Sequence, residues 1–226
     1  MPAIETALDA VLFDFDGIVV ESVDIKTEAF RILFADEPDH LDAIIALHRR
    51  HAGLNRLIKF EMIHSDILRR PLAPERKAHL AARFQELVLE RVVACSMVPG
   101  ANELITRLAG RKPLAIVSGT PQAELEEIVQ RRGIGRYFDS VCGGPRRKPD
   151  IVAGLLAARA WRPQRVLMLG DALEDLAAAR THALLFVGRL LPGDANPFPS
   201  GTPVVNDLHG IEDALVAILA AAGTTA

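Results

Sequence analysis

The chain has 226 residues, half of them hydrophobic, enough apolar material for one large domain or a domain carrying an insertion. Its 26 basic and 29 acidic residues leave a net charge of only -3, with no long basic run, which excludes an electrostatic footprint for nucleic acid. The opening MPAIETALDA lacks a secretory pattern, and the apolar stretch ALVAILAAA near the C-terminus is too short to span a bilayer. Cys95 and Cys142 read as unpaired thiols, so a soluble cytoplasmic protein without membrane or nucleic-acid partners is expected.

In chain order, residues 10–14 (AVLFD) predict a short buried strand. Their apolar run does not alternate with polar residues, which suits a parallel strand covered on both faces. Two carboxylates, Asp14 and Asp16, end the run, and acids so close repel unless positive charge is near. Residues 23–94 contain no strand pattern. Their apolar residues recur at helical spacing (Ile25, Phe30, Leu33, Phe34; Ile44, Ile45; Leu57, Ile58; Leu80, Phe84, Leu87, Val88), punctuated by Pro38, Gly53, Pro71 and Pro74. The spacing predicts about four helices inserted directly after the first strand. From Val98-Pro99-Gly100 strands and helices alternate: apolar runs at 114–118, 166–170 and 184–187, and helical patterns over Pro121–Arg132, Asp150–Ala160 and Asp175–Arg180. Glu212 and Asp213 open a last helix. The pattern predicts an α/β fold with a parallel sheet. Its core spans 1–18 and 95–226, and an all-α insertion spans 19–94.

Ligands of an open parallel sheet bind beyond the carboxyl ends of its strands. There the sequence places Asp14 and Asp16, then Ser118-Gly119-Thr120, then Lys148 in RRKPD before a helix, then Asp171 and Asp175 in GDALED. Four carboxylates in one place need a cation, and an all-oxygen set suits Mg²⁺. With a helix starting near 172, Asp171 and Asp175 are about one turn apart and face one site.

DFDG, SGT, KPD and GDALED, in this order, resemble the four motifs of the haloacid dehalogenase superfamily. VPGANELITRL, SGTPQAELEEIVQRRGIGRYFDSVCGG and PRRKPDIV are similar to its phosphoglycolate-phosphatase and β-phosphoglucomutase-like branch, whose helical cap follows the first motif. The resemblance implies a three-layer α/β/α Rossmann-like core with an inserted all-α cap domain, and roles for the motif residues. Asp14 is the implied nucleophile and Asp16 the general acid, expected to be protonated near neutral pH because burial beside Asp14 raises its pKa. Ser118 and the Gly119 N–H hold a phosphoryl oxygen, and Lys148 neutralises charge on the phosphoryl group and the nucleophile. The carboxylates of Asp14 and Asp171 and the backbone of Asp16 are the implied Mg²⁺ ligands. Asp175 completes the acidic metal set, orienting Lys148 or a metal-bound water.

In the cap, a polar cluster surrounds Gly53, where relatives lower a loop onto the substrate. Arg56, His51, Asn55 and Lys59 are the candidates, Arg56 first, because a guanidinium clamps a carboxylate or a second phosphate. His48 falls on an apolar phase and reads as core. The implied activity is a Mg²⁺-dependent phosphatase acting on a small soluble phosphomonoester, of sugar phosphate or phosphoglycolate type, through an aspartyl phosphate. Asp16 and GDALED favour this over carbon–halogen cleavage. A phosphomutase of the β-phosphoglucomutase type shares every core residue named. A non-catalytic phosphate-binding regulator on the same fold would be expected to lack Asp14, Asp16 or Lys148. A monomer or a homodimer is expected.

Overall fold

Every residue of Ala10–Phe13 (β1) is buried, and this strand lies inside a six-stranded parallel sheet. The computed structural model describes residues 3–191 and 193–223. The sheet takes the order β3-β2-β1-β4-β5-β6, with β2 at Leu114–Pro121, β3 at Ser140–Gly144, β4 at Val166–Gly170, β5 at Leu185–Arg189 and β6 at Val204–Val205. Helix α1 (Ala3–Ala7) precedes the sheet, and the inserted helices α2 (Val23–Leu33), α3 (Leu41–Arg50), α4 (Arg56–Met62) and α5 (Pro74–Ala94) follow β1. The core resumes with α6 (Ala101–Leu108), α7 (Gln122–Arg131), α8 (Lys148–Arg159), α9 (Leu173–Thr181) and α10 (Ile211–Gly223).

Successive strand residues point to opposite faces, and both faces are covered. Val11, Phe13, Leu114, Ile116, Leu167 and Leu169 pack in one cluster with apolar residues of α6, α7 and α10. Ala10, Leu12, Ala115, Val117, Val166 and Met168 pack in another with residues of α8 and α9. This is the expected α/β/α arrangement. Strands β3 and β6 were not legible in the sequence. SVCGG holds two glycines and a serine, and β6 is two residues long, so neither forms the apolar run that marked the central strands.

The inserted helices enclose an aromatic core in which Phe30 lies 5.7 Å from Phe60 and 5.3 Å from Phe84, centroid to centroid. Where the chain leaves and re-enters the sheet domain, its two segments pair. Val20 bridges Met97, the Glu21 N–H donates to Ser96 O at 3.0 Å, and the Val98 N–H donates to Val19 O at 3.1 Å. Arg189 at the end of β5 holds the same crossing, donating to Glu21 Oε1 at 2.7 Å and to Gly17 O at 2.8 Å. Among the described residues no helix is long and apolar enough to cross a membrane.

Candidate active site

The register of the central strands builds the site. Phe13 is level with Ile116 of β2 and Leu169 of β4, so Asp14, Ser118 and Asp171 emerge within two residues of one line at the carboxyl edge. The Asp14 N–H donates to Leu169 O at 2.9 Å and pins its backbone there. Helix α8 starts at Lys148, with Pro149 next, which suits a first turn that has no N–H to satisfy. Lys148 Nζ lies 2.9 Å from Asp14 Oδ1 and 2.6 Å from Asp175 Oδ1, with all three side chains buried. The second oxygen of Asp175 accepts from the Ala172 N–H at 3.2 Å and closes the start of α9.

One carboxylate oxygen from each of Asp14, Asp171 and Asp175 lies within 4.8 Å of the others. Burial, with the neighbouring charge of Asp175, pushes Asp14 up to about 7, although Lys148 opposes the shift. Burial and the charge of Asp14 push Asp171 up to about 8, and burial pushes Asp175 up to about 6. Burial works against the Lys148 ammonium, but Asp14 and Asp175 outweigh it and hold the amine well above its ordinary value. One ammonium among three crowded acids leaves excess negative charge. Hard oxygen donors short of positive charge are a fitting place for a divalent cation.

Asp16 departs from expectation. Burial pushes its carboxyl up, but the Lys26 charge and hydrogen bonds from Lys26, Ser22 and Thr120 prevail and hold it below the ordinary carboxylate value. Lys26 Nζ lies 2.5 Å from Asp16 Oδ2, the Ser22 hydroxyl donates to Oδ1 at 2.6 Å, and the Thr120 hydroxyl donates to Oδ2 at 3.1 Å. Asp16 is therefore ionised in this arrangement rather than protonated, because a direct cation outcompetes desolvation. Ser118 is fully buried at the same edge, and its Oγ accepts from the Thr120 N–H at 3.1 Å. Gly17 has φ +78°, and a Cβ there would stand 2.2 Å from an Asp171 oxygen, so only glycine lets the chain turn beside the acidic cluster.

The cap loop seats on this edge. A Cβ at Gly119 would stand 2.7 Å from Gly53 O, so the two backbones meet directly. Asn55 caps α4, accepting from the Leu57 N–H at 2.9 Å, and its amide donates to Gly119 O at 3.0 Å. Between the inserted helices and the core lies a cavity lined by Asp14, Asp171 and Lys148 of the core and by Phe30, His48 and Lys59 of the insertion. Arg56 lines it too, but its terminal nitrogens donate to both oxygens of Glu124 at 2.9 and 2.6 Å. His51 sits outside this lining, with Nδ1 3.2 Å from Glu174 Oε1.

A family model of haloacid dehalogenase-like hydrolases matches residues 8–182. The chain belongs to this family. A phosphoglycolate phosphatase of Cereibacter sphaeroides is 30% identical over 189 residues, covering 79% of this chain and 84% of that one. Another, from Synechococcus elongatus, is 29% identical over 184 residues, covering 80% and 82%. The solved structure of β-phosphoglucomutase from Clostridium difficile superposes with a TM-score of 0.72 at 15% identity, over 94% of this chain and 99% of that one, a likeness of fold. The chain thus stands in the branch of this hydrolase family that its motifs resembled.

The four motif stretches meet at one sheet edge, with Lys148 against Asp14 and Asp175 and a carboxylate oxygen of Asp171 within 4.8 Å of one from each of those acids. Four further residues at the site escaped sequence reasoning. Lys26 follows Ser22 by four positions, so one helical face presents both to Asp16, and that spacing was a usable signal. Thr120 was quoted only as part of SGT. Glu124 and Glu174 lie in the first turns of α7 and α9, and nothing local in the sequence indicates their partners Arg56 and His51.

Proposed function

We propose that this phosphoric monoester hydrolase cleaves a small soluble phosphomonoester, of phosphoglycolate or sugar phosphate type, with Asp14 as nucleophile. The observation that carries the reading is the buried Lys148 bridging Asp14 and Asp175 beneath the cap. Attack by an Asp14 oxygen forms a bond to phosphorus while the bond to the leaving oxygen breaks, giving an aspartyl phosphate. Asp16, ionised in the free site, takes up a proton from solvent as the substrate binds and passes it to that oxygen. Water then attacks phosphorus, Asp16 takes its proton back, and orthophosphate leaves with Asp14 restored. The donors around Asp16 favour its ionised form, the form that receives the proton from water. Lys148 and the Ser118–Gly119 edge hold the phosphoryl oxygens. Mg²⁺, bound by Asp14 and Asp171 with the Asp16 backbone and Asp175 beside them, would screen the repulsion between carboxylate and phosphoryl group. Residues 19–94 serve as the lid that excludes water during the reaction. The setting proposed is a soluble cytoplasmic enzyme, as monomer or homodimer.

The test is orthophosphate release from a panel of small phosphomonoesters, with Mg²⁺ and with chelator, for wild type and Asp14→Asn. Release that requires metal and falls at least about 10³-fold in Asp14→Asn is expected, the scale of losing a nucleophile. Absence of release from every ester would remove the hydrolytic reading. Isomerisation of a sugar monophosphate primed with its bisphosphate would instead support a phosphomutase.

A further inference from the structure

Four cationic side chains line the cavity: Lys26, Arg56, Lys59 and Lys148. Three of them have a carboxylate partner. Lys26 pairs with Asp16, Arg56 with Glu124, and Lys148 with Asp14 and Asp175. Lys59, 3% exposed, has none among the described residues. Its Nζ instead reaches two uncharged acceptors, Ala52 O at 3.1 Å and His48 Nδ1 at 3.3 Å. His48 is neutral, because burial and the adjacent lysine charge hold its pKa far below the ordinary histidine value. An ammonium has three donors, so one of the three is left for a ligand.

We propose that Lys59 is the specificity-determining residue of this site and binds a carboxylate at the end of the substrate remote from its phosphoryl group. The inference rests on the reading of Asp14 and Lys148 as the phosphoryl end. The core then contributes the phosphoryl-binding groups of the cavity, and the cap contributes an amine that no carboxylate of the described residues pairs with. Phe30, whose ring centre is 5.8 Å from Nζ, and Phe84 wall the space with apolar surface. Desolvation there strengthens an amine–carboxylate pair and disfavours the amine standing alone as a cation. Burial, with Lys26 nearby, brings Lys59 down to about 7 against the weaker upward pull of Glu174, Asp16 and Asp171. Arg56 does not take this role in the arrangement described, since Glu124 occupies both its terminal nitrogens. The substrate class indicated is a short phosphorylated hydroxy acid rather than a neutral sugar phosphate.

The experiment compares phosphoglycolate with 2-hydroxyethyl phosphate, which replaces the carboxylate by a neutral alcohol, on wild type and Lys59→Met with Mg²⁺. The ratio of the two kcat/KM values is expected to favour phosphoglycolate in wild type and to fall by about 10–100-fold in the variant, the scale of a lost charged contact, chiefly through KM. An unchanged ratio, including an equal loss on both esters, overturns the proposal. Calorimetry on the wild type with 3-phosphonopropionate and propylphosphonate, which are not phosphate esters, is independent of turnover and of the variant's folding. Tighter binding of the carboxylate-bearing ligand supports the proposal, and equal binding overturns it. Should neither ester be hydrolysed, the hydrolytic reading fails while calorimetry still decides the role of Lys59.

Discussion

Lys59 ties function to stability at the level of a single residue. Its ordinary pKa is 10.5 and burial lowers it to about 7 in the folded chain. Between those values the unfolded chain keeps a proton that the folded chain has released, so this residue makes stability rise with pH across that window. Below about 7 both forms are protonated, and the full penalty of burying the ammonium is felt. Lys59→Met, of similar volume and no charge, is expected to be more stable than wild type near pH 7 by about 1–4 kcal/mol. The gap should narrow as pH rises towards 10. Urea unfolding at several pH values reads both, and a gap that stays constant with pH would show that the lysine charge is not its source. A binding site that holds a destabilising group for its ligand is a common form of the trade between activity and stability.

At the element scale the decisive contact joins α4 of the cap to α7 of the core. Arg56 and Glu124 form a two-bonded ion pair with side chains 9% and 2% exposed, and the guanidinium also lies 5.0 Å from the centre of the Phe84 ring. Such a pair fixes geometry more than it adds stability, but removing one partner strands the other. Glu124→Ala is therefore expected to lower unfolding free energy by about 3 kcal/mol. Arg56→Met combined with Glu124→Leu should recover most of that loss. Equal loss in the single and double variants, by urea unfolding, would show that the pair is not what holds the two helices. Asn55 donates to the Gly119 carbonyl close by, so the insertion has a charged seat on α7 and a neutral one at the end of β2.

For the whole molecule the acidic cluster predicts a link between pH, metal and stability. Asp14, Asp171 and Asp175 have folded pKa values raised to about 7, 8 and 6, so without metal the folded chain binds more protons than the unfolded one. Their contribution to stability is therefore complete below the ordinary carboxylate pKa and is lost as pH rises through those raised values. A divalent cation competes with those protons and binds the ionised carboxylates. The increment in Tm produced by Mg²⁺ over chelator should accordingly grow from pH 5 to pH 8. A scan at fixed ionic strength checks this, and an increment independent of pH would place the metal elsewhere.

The sequence by itself determined the α/β architecture, the helical insertion after the first strand and the order of the four motifs. Those features rest on local information: apolar runs of strand length, helical periodicity between Val23 and Ala94, and glycine or proline at the boundaries. Chain order then placed the motif residues at one sheet edge, because parallel strands joined by helices present all their carboxyl ends together. The structure alone decided the charge state and partner of each group around the cavity. Arg56 and Glu124 are 68 positions apart, and Lys26 and Thr120 are 94 apart. Such pairings, and equally the absence among the described residues of a carboxylate paired with Lys59, depend on how the inserted helices pack over the sheet. Electrostatic pairing is a property of distance and burial in space, and no local pattern of residues carries it.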